Sequence, residues 1–99
     1  MGLDNIWIEP DGQTLKPVTF DPPLKLWVGM LTNPAYSFRG KCYANYVKET
    51  TGIDIYEDLD NATVIKAAVE LERFVVHAQD LARMFRAFGE AGYNLAAWF

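Results

Sequence analysis

The distribution of proline constrains the fold of this chain more than any other feature of its sequence. Residues 35–99 contain no proline, and all five prolines lie before them, at positions 10, 17, 22, 23 and 34. The proline ring fixes φ and removes the backbone N–H, so proline interrupts helices and is confined to turns, bulges and sheet edges. We therefore expect an extended first third followed by helices.

The extended part carries strand patterns. Ile6 and Ile8 alternate with Trp7, and the sequence EPDGQ that follows is typical of a hairpin turn. We expect a return strand near residues 15–20 and another strand over residues 24–30, where apolar and other residues alternate. These patterns predict a small antiparallel sheet within the first thirty residues.

A first helix is expected directly after this sheet. Ser37 is a suitable N-cap, the apolar residues of 38–50 share one helical face, and Gly52 is suited to end the helix.

The rest of the chain has helical spacing up to Gly92. Asp60 or Asn61 can cap its start. One continuous helix over 61–91 would be long compared with a mean of about 11–12 residues, and Asp80 can cap a second helix. We therefore favour two helices, with one helix as the alternative.

The tail GYNLAAWF, residues 92–99, alternates as a strand does, with Tyr93 and Leu95 on one face. It predicts a strand that returns to the sheet; the alternative is a flexible tail that docks on another protein. The expected fold is a single α+β domain over 1–99, with a small antiparallel N-terminal sheet packed against about three helices and the tail as an added strand.

Composition and charge limit the partners. The net charge is −4 and the isoelectric point is near 4.8, which argues against nucleic acid and anionic membranes as partners. No apolar run approaches the ~18 residues of a membrane helix. Cys42 is the single cysteine, so no internal disulfide can form, and we expect a cytoplasmic protein.

The inventory of reactive side chains is small. His77 is the only histidine, which excludes catalytic sites and zinc sites that need two, and Cys42 lies on an apolar helical stripe. The acidic segment DIYEDLDN, residues 54–61, lacks the ligand spacing of a calcium loop. RGKCYANY, residues 39–46, matches part of an RNA-binding pattern, but prolines occupy the place of the required helix. We expect no catalytic residues, no metal and no cofactor.

One stretch breaks a local rule. If Ser37 caps the first helix, Arg39 and Lys41 lie in its first turn, where cations oppose the helix dipole. Exposed backbone N–H groups there, with Ser37, Arg39, Gly40 and Lys41, predict an anion or phosphate site. The alternative is that both cations reach solvent or pair with the acidic segment.

Surplus apolar material indicates an interface. Hydrophobic residues make up 51% of the chain and aromatic residues 14%, which is rich for a domain that hides only about 60–65% of its unfolded surface. The expected function is a non-catalytic, self-associating interaction module; anion binding at 37–41 is the alternative. The interface candidates are Trp7, Trp27, Trp98 and Phe99.

The opening MGLDN, the stretch SFRGK and the ending FGEAGYNLAAWF together resemble short uncharacterised proteins of bacteria and their phages. The resemblance implies a bacterial or phage origin and no particular activity.

Overall fold

The computed structural model describes residues 3–26, 37–73 and 79–98. Within these residues the chain forms three strands and three helices, in an α+β arrangement. In chain order the elements are β1 (Asp4–Ile8), β2 (Ser37–Phe38), α1 (Ala44–Thr51), α2 (Asn61–Arg73), α3 (Gln79–Ala91) and β3 (Asn94–Trp98).

The sheet is antiparallel and has β1 at its centre, in the order β2-β1-β3. The expected α+β class is confirmed, but the origin of the strands differs, because β1 is the only strand found in the described part of the first thirty residues, 3–26. The turn after β1 forms, with the Gln13 amide donating to the Pro10 carbonyl at 3.1 Å and Gly12 at a φ of 76°. The return strand predicted at 15–20 does not form, since Pro17 cannot donate to a ladder and the chain runs along α3 instead.

The predicted strand over 24–30 lies partly outside the described residues. Its first three residues, 24–26, are not in a strand.

The C-terminal strand is confirmed. β3 pairs with the whole length of β1, from Asp4 opposite Trp98 to Ile8 opposite Asn94. Leu95 faces the core and is fully buried, while Trp98 points to the other face, as the alternation predicts. The tail is therefore part of the sheet.

The second edge of β3 is also occupied. Leu59 and Leu95 exchange two backbone hydrogen bonds, of 2.7 and 2.9 Å. Two residues further along, the Asp58 carboxylate accepts a hydrogen bond from the Ala97 amide at 2.8 Å. These contacts close an edge that could otherwise pair with another chain.

The side chain of Trp7 packs in the core beneath the sheet, against aromatic residues of α3. Its ring stacks on Phe88, with centroids 4.7 Å apart and planes 3° apart, and it meets Phe85 edge-on at 5.0 Å. Both geometries are favourable for aromatic pairs, and an indole buries more apolar area than an isoleucine. The core face of β1 therefore carries Trp7, while Ile6 and Ile8 lie on the opposite face.

Two helices, α2 and α3, occupy the region where one long helix was the alternative. They pack antiparallel: Gly89 lies against Ile65, and the Arg86 guanidinium forms a two-pronged ion pair with Glu72. This ion pair lowers the pKa of Glu72. The division into two helices therefore follows from packing between their faces.

The start of α2 was also anticipated. Asp60 is its N-cap, and its carboxylate accepts a hydrogen bond from the Thr63 amide at 2.9 Å. Hydrogen bonds from the Thr63 hydroxyl and amide lower the pKa of Asp60. Asn61 instead connects the start of α2 to the end of α3 and the start of β3, because its side-chain amide donates to the carbonyls of Gly89 and Tyr93, each at 2.9 Å.

The first helix begins later than the sequence predicts. Ser37 is not its N-cap but part of β2, and α1 begins at Ala44 after a short 3-10 turn over Gly40–Cys42. Its end is as expected, with Gly52 in the left-handed conformation at a φ of 76°.

Replacing Leu95 with alanine tests the structural role of β3. Leu95 is fully buried, so Leu95→Ala should lower the free energy of unfolding by about 2–5 kcal/mol, measured by urea denaturation. Val69→Ala is the control, because Val69 is 39% exposed on α2 and its truncation should cost less than about 1 kcal/mol. Equal effects of the two substitutions would contradict the burial of β3.

Candidate functional site

The predicted anion site at residues 37–41 has no helix N-terminus. Its residues form β2 and the beginning of the 3-10 turn, and the backbone amides of residues 41, 42 and 43 already donate hydrogen bonds. The Cys42 amide donates to the carbonyl of Arg39, and the Tyr43 amide donates to that of Gly40. The premise of aligned, exposed amides at a helix start was therefore wrong.

Residues 39–41 instead form a corner that packs on the start of β1. The Lys41 amide donates to the Leu3 carbonyl at 3.1 Å. The Arg39 guanidinium forms an ion pair with Asp4 at 3.2 Å, and both side chains are largely exposed. Exposed pairs of this kind contribute little stability but neutralise each other's charge.

Gly40 lies directly against the side chain of Asn5. A Cβ atom on Gly40 would lie 1.7 Å from the Asn5 side-chain oxygen, a distance at which two atoms overlap. Asn5 is fully buried, and its side-chain nitrogen donates to the Ile55 carbonyl at 2.9 Å and the Ala96 carbonyl at 3.4 Å. Only glycine leaves room for this amide in the core.

The packing of this corner accounts for most of the residues of the SFRGK stretch without a bound ligand. Arg39 is paired with Asp4, Gly40 is buried rather than unobstructed, and Lys41 is exposed. Ser37 lies half-buried in β2. Anion binding by these four residues stays a prediction, and its original geometric support is gone.

The four interface candidates fall into different environments. Trp7 is only 2% exposed, so its side chain offers no surface to a partner, and this candidate is corrected to a core residue. Trp98 is 70% exposed at the end of β3. Trp27 and Phe99 lie outside the described residues.

Trp98 belongs to a larger apolar surface. We define the outer sheet face as the side of the sheet opposite the core, formed by Asp4, Ile6, Ile8, Ser37, Asn94, Ala96 and Trp98. Ile8 is 43% exposed on it, and Ile6 and Ala96 lie half-buried between Ile8 and Trp98. The sequence analysis missed Ile8 as a surface residue, because alternation separates the two faces of a strand without saying which one faces the core.

The acidic segment has structural roles. Asp54 accepts a hydrogen bond from the Tyr56 amide at 2.9 Å, Asp58 secures β3, and Asp60 caps α2. Within residues 3–26, 37–73 and 79–98, no group of three or more histidine, cysteine or acidic side chains is placed to hold a metal ion.

A groove of about 450 Å³ runs along α3. Phe20, Ala82 and Ala87 form its apolar wall, and Arg83 and Arg86 lie in it. Both guanidiniums are already engaged, by Asp80 and Glu72 respectively. The groove therefore presents apolar surface with balanced charge rather than a free cation.

A second groove, of about 510 Å³, lies between the end of β1 and the start of α2. It is lined by Glu9, Asp11, Asp58 and Asp60, among others. Three of these four carboxylates accept backbone hydrogen bonds. Their orientation is thereby explained by the fold alone.

Comparison with known proteins adds no functional assignment: no family model matches the chain, and no match was found among curated proteins or solved structures. The function is therefore inferred from the surfaces of this molecule. Among the helices of the described segments, none is long and apolar enough to cross a membrane.

Replacing Gly40 with alanine tests the corner. Because the new methyl group would overlap the buried Asn5 amide, Gly40→Ala should lower the free energy of unfolding by about 3 kcal/mol or more. The neighbouring Lys41→Ala is the control and should change it by less than about 0.5 kcal/mol, since Lys41 is exposed. Chemical denaturation measures both. A Gly40→Ala protein as stable as wild type would contradict the observed packing.

Proposed function

We propose that this protein is a small, non-catalytic interaction module that self-associates through the outer sheet face. The observation that carries the proposal is the exposure of Trp98, which presents a large aromatic ring to solvent from a regular strand. Tryptophan is enriched at the centre of protein interfaces, where its burial contributes strongly to affinity.

The surroundings of Trp98 support an apolar contact. Ile8 lies on the same face, at the opposite end of the paired strands, and Ile6 and Ala96 connect the two. Together these side chains form an apolar stripe across the sheet, of the kind that packs against another sheet at about 10 Å.

The charges on this face suit a second copy of the chain. Asp4 and Arg39 carry opposite charges and are neighbours at one end of the stripe. In a two-fold symmetric dimer the same surface occurs on both sides, so Asp4 can meet the Arg39 of the other copy. The net charge of −4 arises largely elsewhere on the molecule, and it opposes association less at this face.

Pairing by edges is less favourable. The outer edge of β3 already pairs with Leu59 and is tied to Asp58, and β2 is only two residues long. Association between faces leaves these contacts intact. A cytoplasmic location, which the single cysteine favours, belongs to the same proposal.

Sedimentation velocity between about 1 and 100 μM tests the proposal. Wild type should approach twice the 11.2 kDa mass of the chain, and Ile8→Lys should weaken association at least tenfold by placing a charge in the apolar stripe. Val69→Lys is the matched control, because Val69 is 39% exposed and Ile8 43%, but Val69 lies on α2.

Two outcomes would overturn the proposal. One is a wild-type protein that remains an 11.2 kDa monomer throughout this range. The other is dissociation by Val69→Lys rather than by Ile8→Lys, which would place the interface on α2.

A further inference from the structure

Residues 14–25, which we name the strap, lie antiparallel along α3 without forming a strand or a helix. Leu15 is next to Gly92 at one end, the Phe20 ring packs near that of Phe88 with centroids 6.0 Å apart, and Lys25 reaches Asp80 at the other end. The strap thus covers one side of α3 over most of its length.

The strap is attached differently from the rest of the fold. Between it and the other described residues there are no backbone–backbone hydrogen bonds, whereas β1 and β3 share a full ladder. Each of its polar attachments uses one side chain and one backbone group. The side chains are those of Glu9, Asp80, Arg83 and Tyr93.

Two of these side chains act at the same point. The Asp80 carboxylate accepts a hydrogen bond from the Lys25 amide and another from the Arg83 guanidinium, at 2.9 Å. Arg83 also donates to the Pro22 carbonyl at 2.7 Å, and its guanidinium lies 5.9 Å from the centroid of the Phe20 ring. Asp80 and Arg83 therefore hold the strap by its backbone and by its main aromatic side chain.

The electrostatics of this pair are favourable. Partial burial raises the pKa of Asp80, but the hydrogen bonds from the Lys25 amide and Arg83 outweigh this effect and hold the pKa below its ordinary value. The ionised carboxylate is therefore the form that holds the strap.

The apolar contacts of the strap are incomplete. Leu15, Val18, Phe20 and Leu24 pack on the core but are only partly buried, whereas Leu26, directly after the strap, is buried in the core. The groove of about 450 Å³ opens beside Phe20, so the strap does not seal the surface of α3. Regions with few buried contacts and side-chain attachments open at lower free energy than core strands.

We propose that the strap opens as a unit while the sheet and helices stay folded. Asp80 and Arg83, which we name the latch, hold it in the closed position through their hydrogen bonds. Opening uncovers the side of α3 around Phe88, a second apolar surface distinct from the outer sheet face. The proposal does not depend on self-association, because none of the latch residues lies on that face.

Native-state hydrogen exchange followed by NMR tests this in the wild-type protein. The Leu15 and Lys25 amides should exchange at least tenfold faster than the Trp7 and Leu95 amides of the sheet. Their opening should also depend less on added denaturant, because less surface is exposed. If the strap amides exchange only with global unfolding, the strap is an integral part of the fold and the proposal fails.

Paired substitutions test whether Asp80 and Arg83 hold the strap closed. Asp80→Asn with Arg83→Gln should speed exchange of the strap amides at least tenfold and leave the sheet amides unchanged. Glu72→Gln with Arg86→Gln is the matched control, because this ion pair lies in the same groove but makes no hydrogen bond to the strap. Equal acceleration by both pairs, or equal acceleration of strap and sheet, would overturn the assignment.

Discussion

The close contact between Gly40 and the buried Asn5 amide is the constraint on which the arrangement of the sheet depends. Asn5 lies on the central strand and donates hydrogen bonds to the loop carbonyl of Ile55 and to Ala96 on β3. Gly40 lets the corner after β2 approach this amide closely. One polar side chain thus connects β1, β3, the corner and the segment before α2. Its nitrogen is hydrogen-bonded, which offsets part of the cost of burial, whereas its oxygen is buried against Gly40 without a hydrogen-bond partner among the described residues.

The packing around Asn5 gives structural roles to the stretches of sequence that first suggested a functional site. The described parts of the stretches MGLDN, SFRGK and GYNLAAWF, residues 3–5, 37–41 and 92–98, meet in the structure, since the corner packs on one side of β1 and β3 pairs on the other. These stretches therefore have structural roles. Our functional proposals concern two surfaces, the outer sheet face and the side of α3 beneath the strap. The outer sheet face is exposed on the single chain, whereas the side of α3 beneath the strap is covered by a segment that is held through side chains.

Much of the fold could be predicted from patterns along the chain. Proline separated the extended part from the helices, Gly52 and Asp60 marked helix ends, and the alternation in the tail indicated β3. The corner could not be predicted, because Ser37 is a good N-cap in isolation and its pairing with Ile6 depends on distant contacts. Trp7 was misplaced for a similar reason: alternation defines two faces, and only the stacking on Phe88 decides which one is buried.

A double-mutant cycle between Asn5 and Gly40 tests the central contact most directly. Asn5→Ala removes the side-chain oxygen that the new methyl group would overlap, so Gly40→Ala should cost at least about 1 kcal/mol less in the Asn5→Ala protein than in wild type. Urea denaturation of the four proteins gives this coupling. Additive effects within about 0.3 kcal/mol would show that the two residues act independently and would contradict the account.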